Sequence, residues 1–215
     1  MKNQSFLFYS RCLLALLAIA GTALEIIKYG IGMFMYYTVQ SNLLVSVFAV
    51  YMVYAMQKGL DLQSAKFLRL KAAVTMSIMI TCVVYHFMLA PLVDDFWPVE
   101  NLLCHYIVPL YFLLDTLLVD RQGQYKWFDP IWWTILPVLY MVFGLVNGFF
   151  IKIPIPDAKD SPFAYFFLNV PKYGWPYVLT YAGTIFVAYL VFGFVLTGVK
   201  SLNVRRGLLN RKHSQ

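Results

Sequence analysis

The sequence predicts an all-α, polytopic membrane fold: a single bundle of six transmembrane helices with both termini cytoplasmic. Three observations predict it. Of 215 residues, 61% are apolar and only 13% are charged, against roughly 45–50% and about 25% in average proteins. The apolar residues gather in six long runs. The 17 lysines and arginines lie mostly in short segments beside those runs. Such a composition excludes a disordered chain. It also excludes an ordinary soluble domain, because a chain this small cannot hide so much apolar surface from water.

A bilayer core of about 30 Å needs roughly 20 apolar residues per helix. The runs at 6–27, 33–56, 68–89, 102–119, 130–151 and 176–199 meet that need. Barrel strands would be half as long and would alternate with period two. In the first run, Lys2 and Arg11 precede an apolar stretch that contains Ala18-Ile19-Ala20, like a signal peptide with a cleavage site. The stretch continues to Ile27, so a retained helix is expected. The fifth run carries Gly144 and Gly148, a spacing that favours close helix packing. Between the fifth and sixth runs, four prolines forbid a continuous helix. The aromatic residues at 163–170 there are expected to form an interfacial belt or a lid. A basic tail follows at 200–215.

Charge placement gives the sidedness. Alternate loops and both ends hold 13 lysines and arginines, and the other loops hold four: Lys28, Lys152, Lys159 and Lys172. The richer side is cytoplasmic. The net charge of +7 is therefore read as topology and attraction to anionic lipid, with no nucleic-acid partner. Asp94, Asp95 and Glu100 fall on the opposite side. Cys12, Cys82 and Cys104 lie inside apolar runs with no CxxC spacing, which gives no disulfide framework.

Polar groups inside a bilayer are costly, so each is a functional candidate. They are Glu25; Thr38, Gln40, Ser41 and Asn42; His86; His105 and Asp115; Asn147; Thr180 and Thr184. With alternating direction, all but Asp115 fall in the outer half; Asp115 is about 15 Å deeper than His105 at 1.5 Å per residue. Thr38 and Asn42 share a helix face, as do Asn101 and His105. A neutral histidine can serve as a general base, and a hydroxyl beside it becomes a nucleophile. Thr38 with His105 is thus a candidate acyl-transfer pair. Asn42, Asn101, Glu25 and His86 are supporting or oxyanion candidates; Ser41, Asn147 and Thr180 are candidates to line a substrate site. No metal or other cofactor is expected: His86 and His105 lack a clear third ligand, and no HxxxH, phosphate loop or dinucleotide fingerprint occurs. Two alternatives stay open, a transporter or scaffold subunit and a metal-dependent membrane hydrolase.

Two motifs carry a resemblance. Tyr36-Tyr37-Thr38-Val39-Gln40-Ser41-Asn42-Leu43-Leu44 resembles the threonine motif of the androgen-induced-gene family of six-span membrane proteins. Asn101-Leu102-Leu103-Cys104-His105-Tyr106-Ile107-Val108-Pro109 resembles its histidine motif. The chain looks closest to the bacterial branch. The resemblance implies a threonine hydrolase that cleaves a fatty acid ester within the membrane, with Thr38 as nucleophile and His105 as base. It also implies a membrane lipid or fatty acid ester as substrate, a bacterial plasma-membrane location, and room for a homo-oligomer.

Overall fold

The computed structural model describes residues 2–93, 96–156, 158 and 162–212, with side chains over 4–93, 96–156, 158 and 162–201. Asp94, Asp95, Lys159 and His213 lie outside the described residues. Six helices are long and apolar enough to cross a membrane: Gln4–Tyr29, Tyr37–Lys58, Ala65–Leu92, Val99–Val119, Asp129–Ile151 and Trp175–Ser201. They are spans one to six below. No strand occurs among the described residues. The chain is a multi-pass integral membrane protein.

Local chemistry explains where the spans depart from the expected boundaries. Span two starts later than position 33. Gly30 turns the chain at φ 93°, Ile31–Met35 winds as a tight 3-10 turn, and Tyr36 is extended before the helix begins. Span four starts earlier, at Val99, directly after Pro98, the residue before its first turn. Span two ends at Gly59, which takes the left-handed conformation at φ 65° and donates to Ala55 and Met56. A residue without Cβ reaches that conformation at no steric cost.

Span three is the most enclosed of the six and span six the least. Spans one to four pack around Leu14, Ala18, Val45, Met52, Ile78 and Phe112. Spans five and six lean on the other side of span three through Met76, Trp133, Tyr189 and Leu196. Exposed apolar side chains such as Leu16, Val50, Leu118, Leu139 and Val187 cover the outside, as a lipid-facing surface requires.

Span five bends at Thr134. Pro137 has no N–H to give the Trp133 carbonyl one turn back. The Tyr189 hydroxyl of span six donates to that carbonyl instead, at 2.8 Å. The bend therefore has a partner, and it fixes span six against span five.

At the end of the bundle that carries the termini, charges are buried. The Arg11 guanidinium forks onto both carboxylate oxygens of Asp115, at 3.2 Å each. Lys71 reaches Asp115 at 2.6 Å and also pairs with Asp120. Lys200 donates to the carbonyls of Thr116, Leu117 and Asp120 at the end of span four. Burial pushes the Asp120 carboxyl up from its ordinary range, against the pull of Lys71. Arg11, Lys71 and Lys200 are at most 2% exposed. Their sequence reading as flanking charges is corrected: they are interior partners that join spans one, three, four and six.

The segment between spans five and six also departs from expectation. Phe163, Tyr165, Phe167 and Leu168 are buried in the bundle, so no flat aromatic belt forms. Gly144 and Gly148 do not pack helix on helix. A Cβ at Gly148 would collide with the Phe163 ring, and one at Gly144 would press on Leu168 at 3.2 Å. The glycine face of span five receives this segment. Asn147 holds it, donating to Pro162 O at 2.9 Å and accepting from Ile153 N at 3.1 Å.

Candidate active site

Three π-type turns lie at the end of the bundle opposite the termini: Tyr85–Leu89, Leu103–Ile107 and Asn147–Ile151. Such turns recur at functional sites because they re-aim side chains. The second has a local cause. Pro109 cannot donate to the carbonyl of His105, four residues back, and its ring crowds that carbonyl. The helix widens there and His105 turns toward span two.

Thr38, in the first turn of span two, meets it. Thr38 Oγ1 is 3.3 Å from His105 Nε2. On the other side of the ring, Nδ1 is 3.0 Å from the carbonyl oxygen of Asn101. A carbonyl only accepts, so Nδ1 carries a hydrogen, and in the neutral ring Nε2 is then the acceptor. That tautomer can take the Thr38 proton. The Tyr85 ring stacks on the imidazole at 3.7 Å and 24°, which fixes its plane.

The supporting residues are mostly ties. The Asn42 amide nitrogen donates to Thr38 O at 2.9 Å and to Cys104 O at 3.0 Å. It clamps the threonine turn to the histidine turn, and both amide hydrogens are spent, which corrects its reading as an oxyanion donor. Asn101 likewise acts through its backbone, since its side chain donates to Phe96 O at 2.9 Å. Ser41 bonds to Thr38 O and to Thr81. Glu25 is buried on span one, within electrostatic range of Tyr85 and Cys104; the position on His105 Nδ1 belongs to the Asn101 carbonyl.

Thr38 also faces a cavity of about 420 Å³, lined by Tyr37, Thr81, Tyr85, Tyr140, Tyr165 and Phe167 among others. That volume suits a drug-sized or lipid-sized ligand. Ser41, Asn147 and Thr180 do not line it, which corrects their reading as lining residues. Ser41 is a tie behind Thr38, Asn147 anchors the segment after span five, and Thr180 is back-bonded to Pro176 O at 2.8 Å. His86 is exposed and stands 3.1 Å from the Tyr106 hydroxyl, outside the Thr38 contact.

Two site residues escaped the sequence reading. Tyr165, from the segment between spans five and six, lines the cavity within hydrogen-bonding reach of the Thr38 side chain. Burial pushes its phenol up, so it stays protonated and can donate. Tyr85 also lines the cavity, and its buried hydroxyl lies near the Asn101 side chain. The sequence signals were indirect: Tyr85 adjoins His86, and Tyr165 lies in the aromatic stretch at 163–170. Among the described residues, no three of His, Cys, Asp and Glu converge as a metal set.

Fold and site together define a six-span helical membrane protein in which Thr38, 3.3 Å from His105, lines a cavity. Comparison with protein-family models, curated proteins and solved structures finds no match to this chain.

Proposed function

We propose that the protein is an intramembrane lipid hydrolase that cleaves a fatty acyl ester with Thr38 as nucleophile and His105 as base. The observation that carries this reading is the 3.3 Å approach of His105 Nε2 to Thr38 Oγ1, which stands at the wall of a cavity. The reading accords with the resemblance of both motifs to the androgen-induced-gene family. The lysine and arginine bias supports cytoplasmic termini, and with that orientation the pair belongs to the outer leaflet, in a plasma membrane of the bacterial type on the resemblance above.

Thr38 Oγ1 attacks the ester carbonyl carbon while its proton passes to His105 Nε2. The oxygen that gains charge is met by the Tyr165 and Tyr85 hydroxyls, donors on the cavity wall beside Thr38. The tetrahedral species collapses, the bond to the alcohol oxygen breaks, and His105 returns the proton to that oxygen. Water then attacks the acyl-threonine. His105 takes its proton and passes it to Thr38 Oγ1, and the fatty acid leaves.

The test is hydrolysis of a monoacylglycerol by the purified protein in proteoliposomes. Release of fatty acid that is lost in both Thr38→Ala and His105→Ala supports the reading. Equal release from both variants and the parent contradicts it.

A further inference from the structure

At the end of the bundle that carries the termini, spans three and five start side by side. The Trp133 indole Nε1 donates to the Arg69 carbonyl at 3.1 Å and fixes their approach. Asp129, buried in the first turn of span five, accepts from Arg69 Nε at 2.7 Å and from Lys126 N at 2.8 Å. Arg69 Nη2 is its third donor. This one carboxylate brings two cationic side chains to one aromatic ring. The Arg69 guanidinium lies 5.9 Å and the Lys126 ammonium 5.6 Å from the centre of Phe128.

Positive charge is left over there. Asp129 balances Arg69, whose side chain is still 30% exposed. From Lys126 it takes only the backbone N–H, and the Lys126 ammonium makes no ion pair among the described residues. Lys66 is exposed, lies one turn before Arg69 on the same helix face, and is likewise unpaired among them.

The surface beside these cations is aromatic and apolar. Trp127 is 74% and Trp132 62% exposed, and tryptophan settles at headgroup depth. Ile131, Ile135 and Leu139 follow along span five at four-residue spacing, all exposed. A ligand of this surface carries negative charge at one end and hydrocarbon at the other. Two uncompensated lysines favour a headgroup of net negative charge over a zwitterionic one.

We propose that the junction of spans three and five binds an anionic phospholipid from the leaflet on the side of the termini. Its phosphate sits among Lys66, Arg69 and Lys126, and its acyl chains lie along Ile131 and Ile135. The site is independent of the Thr38–His105 pair and of the hydrolase reading.

The test is native mass spectrometry of the full-length protein in detergent, with phosphatidylglycerol or phosphatidylcholine of the same chains. Phosphatidylglycerol is expected to bind about tenfold tighter. The double variant Lys66→Gln/Lys126→Gln is expected to lose that preference. Both side chains are exposed, so its thermal midpoint without lipid is expected to stay. Lys58→Gln/Arg121→Gln removes the same charge from exposed cations elsewhere at that end and is expected to keep the preference. Equal binding of the two lipids, or equal loss in both double variants, overturns the site, the second outcome by leaving only diffuse attraction. Displacement of phosphatidylglycerol by inorganic phosphate alone would also overturn it, since the acyl chains would then contribute nothing.

Discussion

Thr38 Oγ1 and His105 Nε2 stand 3.3 Å apart although 67 positions separate them in the chain. Asn42 holds that approach by bonding to the carbonyls of both Thr38 and Cys104. The hydroxyl, rather than the shape, of residue 38 is what the chemistry uses. Thr38→Val keeps both branches on Cβ and removes only the hydroxyl. It is expected to abolish labelling by a fluorophosphonate lipid probe while the thermal midpoint moves by a few degrees at most. Thr38→Ser keeps the hydroxyl on a less restricted χ1 and is expected to retain labelling. In-gel fluorescence and thermal unfolding in detergent read both.

Tyr165→Phe separates donation from packing. The ring stays against Tyr36, Tyr140 and Phe167, and only the hydroxyl goes. Loss of one donor to a developing oxyanion costs on the order of 100-fold in kcat. The expected signature is a kcat fall of about that size with KM and thermal stability nearly unchanged. Equal losses in stability and rate would make Tyr165 a packing residue only.

The fold was legible because apolar runs of membrane length have few other uses, and the pair was legible because polar residues inside them are rare. Thr38 and His105 stood out from apolar neighbours on those grounds. Tyr165 and Tyr85 did not, since tyrosine is common at membrane interfaces and 16 occur in this chain. Tyr165 also depends on a segment seated by Gly148 and Asn147, a tertiary fit with no local pattern. Arg11, Lys71 and Lys200 illustrate a different gap. A charge near a helix end reads alike whether it snorkels to water or turns inward to Asp115 and Asp120.

That inward turn is measurable. Removing one member of a buried ion pair leaves the other uncompensated, at a cost of about 3–5 kcal/mol. Asp115→Ala strands the Arg11 guanidinium, which is 2% exposed. It is expected to destabilise the protein by about that amount in chemical unfolding from detergent. A change under about 1 kcal/mol would place Asp115 in contact with water instead.

Gly148→Ala tests the seating of the segment after span five. The added methyl meets the Phe163 ring, which is 2% exposed and enclosed. Overpacking of this kind costs about 1–3 kcal/mol. Displacement of Phe163 also carries Tyr165 away from Thr38, so probe labelling is expected to fall along with stability. Gly198→Ala, where an added Cβ meets nothing within 4 Å and which lies away from the Thr38 cavity, is the matched control and is expected to keep both.

The most direct measurement is the site of covalent attachment. The full-length protein in proteoliposomes is treated with the fluorophosphonate lipid, digested and analysed by tandem mass spectrometry. The adduct is expected on Thr38 Oγ1, and it is expected to be absent from His105→Ala. An adduct on any other residue, or equal labelling of the parent and Thr38→Ala, would contradict Thr38 as the nucleophile.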